Sequence, residues 1–144
     1  MDRQRIINLF AAISTITVFG FALGLMFPLL ALIMEERGID PDIIGYNTAM
    51  QPLGIMLSVF TTPILVRKFG AKRATIGAAF ATGTVILIYP FLSVFWWWFA
   101  LRILHGFFVS TLFAISEAWI VKFAAGPYRS RILALYTSVL AASF

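Results

Sequence analysis

Long runs without a charged side chain limit this sequence more than any other feature. Residues 6–34 contain no aspartate, glutamate, lysine or arginine, and neither do residues 74–101. A helix needs about 20 mostly apolar residues to cross the hydrocarbon core of a bilayer, and both runs are longer than that. Since 61% of the residues are hydrophobic and only 12% are charged, the chain cannot build a water-soluble surface. The sequence therefore predicts an all-α polytopic membrane protein.

Short polar and charged clusters divide the chain into spans. We expect four transmembrane helices and the start of a fifth, at residues 6–34, 42–66, 74–92, 96–121 and 132–144. Asp40 is a suitable cap for the second helix, with Pro41 at its first helical position. The last segment is too short to span, so we expect these residues to be a fragment of a longer protein. A short interfacial helix is the alternative.

The cations of the connecting segments predict the orientation of the chain. Nine lysines and arginines fall on one predicted side of the membrane, and a single cation, Arg37, falls on the other. The nine are Arg3, Arg5, Arg67, Lys68, Lys72, Arg73, Lys122, Arg129 and Arg131. Because cytoplasmic loops carry the excess of lysine and arginine, we expect a cytoplasmic N-terminus. Trp96, Trp97 and Trp98 then fall at the outer interface, where indole rings accumulate.

The second predicted span carries a stripe of small and polar residues. Its members recur at spacings of four and three, which places them on one helix face: Asn47, Gln51, Gly54, Ser58 and Thr61. Polar groups facing lipid would lack hydrogen-bond partners, so the stripe faces other helices or a wet cavity. Close helix packing and a cavity wall for solute are both open at this point, and Asn47 and Gln51 are larger than close packing requires.

The fourth predicted span contains three ionisable residues, Arg102, His105 and Glu117. A charge inside a membrane span costs about 2.5–3.5 kcal/mol on insertion scales, so each needs a physical reason. Arg102 either extends its side chain outward to the interface or faces a cavity and holds an anionic group. Glu117 either pairs with nearby basic loops or takes part in proton coupling. His105 is either a hydrogen-bonding partner between helices or a proton relay.

Several function classes are excluded or disfavoured by composition. The chain has no cysteine and one histidine, so we expect no metal site and no cofactor. No phosphate-binding loop of the Gly-x-x-x-x-Gly-Lys-Ser/Thr type occurs, which leaves no recognisable ATP-driven motor. The net charge of +5 comes from clusters between apolar runs, and this indicates membrane topology and not nucleic-acid binding. An enzyme would need clustered catalytic side chains, which the sequence does not offer.

The order of these features resembles the major facilitator superfamily of secondary transporters. The segment Arg67–Arg73 resembles that family's loop between its second and third helices, with candidate motif residues Arg67, Lys68, Gly70, Lys72 and Arg73. Arg67 stands where the family loop usually has an aspartate. The segment Arg102–Gly106 is similar to the family's Arg-x-x-x-Gly pattern in the fourth helix. Gly24–Ala31 and Ser116–Trp119 look like a bacterial subgroup of permeases with poorly defined substrates.

The resemblance implies a specific organisation and activity. The chain would be part of an N-terminal six-helix bundle that works against the C-terminal half of the same transporter around a central site. It would belong to a permease of the bacterial inner membrane that moves a small solute by alternating access, coupled to protons. A fragment of this size is not expected to transport alone. The alternative is a stand-alone four-span scaffold or partner subunit without transport activity.

Overall fold

The computed structural model describes residues 3–123 and 129–142, and these residues form helices joined by short links. The helices are α1 (Arg3–Glu36), α2 (Pro41–Phe69), α3 (Ala71–Ile88), α4 (Trp97–Phe123) and α5 (Arg129–Ala142), with a 3₁₀ turn at Tyr89–Phe91 after α3. The prediction of an all-α fold is confirmed. The last predicted basic loop and the end of the last predicted segment lie partly outside the described residues.

Three segments are long and apolar enough to cross a membrane: Pro41–Phe69, Ala71–Phe91 and Trp97–Lys122. They overlap the predicted second, third and fourth spans to within a few residues at each end, which confirms a polytopic membrane protein. The helix α1 has 34 residues and α5 has 14. That α1 crosses the bilayer, and that α5 begins a fifth span, stay predictions.

The start of α2 follows the capping chemistry expected from the sequence. The Asp40 carboxylate accepts a hydrogen bond from the Asp42 backbone N–H at 3.0 Å, and Pro41 occupies the first helical position. This satisfies one of the N–H groups that a helix start leaves without a partner. Gly38, with φ of 71°, precedes this cap and donates its N–H to the Glu35 carbonyl at the end of α1. The link between α1 and α2 is therefore short and ordered.

A single residue separates α2 from α3, and this corrects the basic loop expected over residues 67–73. Gly70 has φ of 81° and ψ of 150°, and its N–H donates to the Val66 carbonyl at 2.9 Å. Arg67 and Lys68 lie in the last turn of α2, while Lys72 and Arg73 lie in the first turn of α3. All four side chains are exposed, so their charges stay in contact with solvent although the backbone is helical.

The chain divides into two compact units. The first is formed from Met1–Met26 and Leu112–Phe144, and the second is Phe27–Thr111. In the first unit, Ile16 of α1, Ile120 of α4 and Tyr136 of α5 form a buried apolar cluster. The second unit contains all of α2 and α3 together with the adjoining ends of α1 and α4. The first unit thus keeps its helices together by apolar burial, while the second also buries most of the polar stripe.

Within the second unit, α2 and α4 approach each other through two glycines. A Cβ atom at Gly54 would overlap the backbone carbonyl of Ile103 on α4. A Cβ atom at Gly106 would likewise overlap the backbone carbonyl of Gln51 on α2. Such close contact between backbones is how membrane helices gain packing energy in the absence of a hydrophobic effect between them. The pair sets the distance at which the polar side chains beside it meet.

Candidate functional site

Arg102 lies at the centre of a buried polar cluster. Its Nε donates to Asn47 Oδ1 at 3.1 Å and its Nη1 donates to Gln51 Oε1 at 3.0 Å. All three side chains are fully buried. The guanidinium carbon Cζ lies over the ring of Phe27, 5.3 Å from the ring centroid. We name Arg102, Asn47 and Gln51 the arginine cluster.

This arrangement speaks against the outward-extending role for Arg102, while the binding of an anionic group stays a prediction. The side chain points toward α2 and does not extend to the interface. Asn47 and Gln51 are one helical turn apart on α2, so both amide oxygens reach the same guanidinium. Hydrogen bonds to a charged donor are about twice as strong as those between neutral groups. The sequence pattern had placed the three residues in two separate features, and the fold brings them together.

The polar stripe continues along α2 beyond Gly54. The Ser58 and Ser110 hydroxyl oxygens lie 2.7 Å apart, and those of Thr62 and Thr111 lie 3.2 Å apart. Thr62 is buried, whereas the Thr61 expected in the stripe is partly exposed and bonds the Leu57 carbonyl of its own helix. That expectation was wrong by one residue.

The other ionisable candidates lie in different surroundings. His105 is buried on α4 one turn after Arg102, and its Nε2 has no hydrogen-bond partner among the described residues. Glu117 is exposed and belongs to the first unit, while the arginine cluster belongs to the second. Arg102 and His105 thus belong to one unit and Glu117 to the other.

The basic residues around Gly70 form a separate feature. Arg73 lies at the rim of a cavity of about 280 Å³ between α2, α3 and α4. Its other lining residues are nearly all apolar or small: Leu65, Phe69, Ala74, Gly77, Ala78, Phe108 and Thr111. Neither Asn47, Gln51 nor Arg102 lines this cavity. Of the five residues of the predicted loop motif, Arg73 alone lines this cavity, which is distinct from the arginine cluster.

Two aromatic residues of the second unit were not predicted as site residues, although Phe27 lies within the Gly24–Ala31 segment that resembles the permease subgroup. Phe27 supplies the ring beside Arg102, and Tyr89 is buried in the same unit. Tyr89 packs edge-on against Trp98, with ring centroids 5.5 Å apart. Trp98 is also buried, and Arg37 lies 4.8 Å above its ring. Among fourteen other phenylalanines and three other tyrosines, only the fold could select these two.

The described residues offer little to a metal ion. Within residues 3–123 and 129–142, no three histidine, cysteine, aspartate or glutamate side chains lie close enough to hold one. Five buried polar atoms in the second unit instead lack any partner there: Asn47 Nδ2, Gln51 Nε2, Tyr89 OH, Arg102 Nη2 and His105 Nε2.

The helices and their buried polar contacts define a multi-pass integral membrane protein whose spans meet at a charged group. Comparison with known proteins gives its family. Residues 12–144 match the family profile of the Major Facilitator Superfamily, so the chain belongs to that family.

A curated relative supports the same assignment. The chain is 23% identical over 133 residues to the "Uncharacterized MFS-type transporter YfkF" of Bacillus subtilis. The alignment covers 90% of this chain and 33% of that protein, so the chain spans about a third of the length of this relative. No solved structure matches the chain significantly.

Proposed function

We propose that the chain is the N-terminal portion of a secondary active transporter that moves a small solute by alternating access. Membership of the Major Facilitator Superfamily supports this, and so does the relative whose printed name describes an MFS-type transporter. The observation that carries the proposal is the full burial of Arg102 against Asn47 and Gln51. An ionised residue inside a membrane bundle is costly and marks solute or ion pathways. No chemical change of the solute is proposed.

The arginine cluster is the proposed solute site. Its three side chains come from α2 and α4, so a solute bound there would contact both helices at their closest approach. Transporters with paired repeats place their substrates between helices at the repeat interface. In this proposal Arg102 makes the electrostatic contact with the solute. Asn47 and Gln51 hold the guanidinium in its orientation.

Proton coupling is the second part of the proposal. His105 supports it because a buried imidazole without a partner is a group whose charge depends on its surroundings. Glu117 is the only acidic residue of α4, and we propose it as a second coupling candidate on the evidence of its place in a span.

The remaining parts of the proposal concern what surrounds these residues. The bilayer is the bacterial inner membrane, with the N-terminus in the cytoplasm. Residues 1–144 form part of a six-helix bundle, and a C-terminal half of the same transporter completes the solute pathway. The Bacillus subtilis relative is about three times as long as this chain, which supports the presence of a C-terminal half. We expect no uptake by purified residues 1–144 in vesicles, and measurable uptake would contradict this.

The test is solute uptake by the full-length natural protein in cells that lack it, measured over a panel of labelled small solutes. We expect accumulation of at least one solute, abolished by a protonophore. Arg102→Gln should abolish it too, whereas Arg131→Gln should not, because Arg131 is an exposed cation on α5. Membrane insertion is checked for each variant by its amount in the membrane fraction. Unchanged uptake by a normally inserted Arg102→Gln variant would overturn the site assignment.

A further inference from the structure

The arginine cluster holds a positive charge with no acidic partner anywhere near it in the sequence. Residues 43–116 contain no aspartate and no glutamate, and neither do residues 6–34. The carboxylates of Glu35, Glu36, Asp40 and Asp42 are exposed around the start of α2. Arg102 is 0% exposed, and its described hydrogen-bond partners are two neutral amides. A buried charge without a counter-charge is strongly destabilising, so the site requires an anion that the described spans do not supply.

The unpartnered atoms around Arg102 are of one chemical kind. Because the guanidinium can only donate, Asn47 and Gln51 must turn their oxygens toward it. Their amide nitrogens, Asn47 Nδ2 and Gln51 Nε2, are thereby left as donors, and Arg102 Nη2 is a donor as well. All three are buried and lack partners among the described residues. Three free donors at one positive charge form a site for an acceptor-rich, negatively charged group.

Charge balance selects the class of anion. One buried guanidinium neutralises one negative charge, so a dianion such as sulfate would leave a net negative charge in the same surroundings. A carboxylate carries a single charge and accepts several hydrogen bonds, and its planar shape matches the two-pronged geometry of arginine. Nε and Nη1 of Arg102 already donate to the two amide oxygens, which leaves Nη2 for that contact.

We propose that the arginine cluster binds a single carboxylate group through Arg102 Nη2 and the amide nitrogens of Asn47 and Gln51. This deepens the proposed function, on which it rests, by naming the class of ligand. The carboxylate belongs either to a free monocarboxylate solute or to an aspartate or glutamate on a helix outside residues 1–144. The chemistry of recognition is the same for both sources.

The first measurement is the thermal stability of the full-length natural protein in detergent, in chloride, acetate or sulfate at constant ionic strength. If a free solute supplies the carboxylate, acetate should raise Tm saturably, by about 2–4 °C at ten times its Kd. Sulfate should not. Arg102→Gln should abolish the acetate response, while the exposed-cation control Arg131→Gln should keep it. In chloride, Asn47→Asp should raise Tm by supplying the missing charge internally, and it should also abolish the acetate response.

The second measurement identifies a carboxylate supplied by the protein itself. In an Arg102→Lys variant, a hydrophobic carbodiimide would join the introduced amine to an adjacent carboxylate, and mass spectrometry would locate the joined peptide. A link to a segment outside residues 1–144 would show that an aspartate or glutamate of the protein itself supplies the carboxylate. In that case acetate should not change Tm, and Asn47→Asp should lower it. The proposal is overturned if acetate has no effect and no link forms, or if sulfate stabilises as well as acetate. Neither Tm nor the cross-link depends on uptake, so failure of the carboxylate proposal can be distinguished from failure of the transport proposal.

Discussion

Gly54 on α2 lies directly against the backbone carbonyl of Ile103 on α4, with no room between them for a side chain. The contact is matched three residues along α4, where Gly106 lies against the Gln51 carbonyl. Gln51 contacts Gly106, and Arg102 precedes Ile103 in the chain. The same close approach therefore brings the Gln51 amide oxygen to 3.0 Å from the Arg102 guanidinium. Packing and the candidate site therefore depend on the same two glycines.

We expect Gly54→Ala to lower the free energy of unfolding in detergent by about 1–3 kcal/mol, since the added methyl group would force α2 and α4 apart. The Arg102 hydrogen bonds would lengthen with them. The control is Gly45→Ala, because Gly45 lies on the same helix with open space around it. That change should be neutral or stabilise by up to about 1 kcal/mol. Equal stability of the two variants would contradict the close contact.

Gly70 gives a second prediction, this time from backbone conformation. Its φ of 81° with ψ of 150° lies in a region that is essentially restricted to glycine. Gly70→Ala should therefore destabilise the protein by about 1–3 kcal/mol, although a Cβ atom there would touch nothing. Gly77→Ala on α3 is the matched control, with equally open surroundings but helical backbone. Thermal unfolding of the two variants side by side decides the point, and a stable Gly70→Ala variant would refute it.

The sequence was sufficient to predict the helices and most of the buried polar face. The length of a charge-free run predicts a membrane span. The three- and four-residue spacing of Asn47, Gln51, Gly54 and Ser58 predicts that they share one helix face. Both predictions depend only on helix geometry. The one error in the stripe, Thr61 in place of Thr62, also arises because helix geometry was the only criterion. Positions three and four residues after Ser58 both lie near that face, and only the position of α4 selects between them.

The contacts between helices could not be predicted in this way. Hydropathy does not reveal the rotation of α4 about its axis, so it left Arg102 free to point outward or inward. The partners Phe27 and Ser110 are common residue types in apolar runs, and nothing in the sequence indicates which polar side chain each of them contacts. The predicted basic loop failed for a different reason. Charged side chains at a membrane interface reach water from a helix as well as from a loop, so charge alone does not end a helix.

The hydrogen bonds of Arg102 give a third prediction. Gln51→Leu removes the acceptor of Nη1 with little change of volume, and should lower the free energy of unfolding by about 1–3 kcal/mol because a buried charged donor loses its partner. Thr48→Val on the same helix is the control, since the Thr48 hydroxyl bonds only the Ile44 carbonyl of α2 among the described residues. It should cost clearly less. A Gln51→Leu variant no less stable than Thr48→Val would show that this hydrogen bond does not hold α2 to α4.

The final prediction concerns orientation, and it is tested by single cysteines introduced into residues 1–144, which contain none, with any cysteine elsewhere in the full-length protein replaced by serine. Arg37 and Lys72 are exposed near opposite ends of α2, so a membrane-spanning α2 places them on opposite sides. With the N-terminus in the cytoplasm, a membrane-impermeant maleimide should label an Arg37→Cys variant in intact cells. It should label a Lys72→Cys variant only after the membrane is permeabilised. Ser58→Cys, at a buried position, controls for labelling of the protein interior and should stay unmodified in both conditions. Labelling of positions 37 and 72 from the same side would contradict the crossing by α2, whereas the reversed pattern would keep the crossing and place the N-terminus outside.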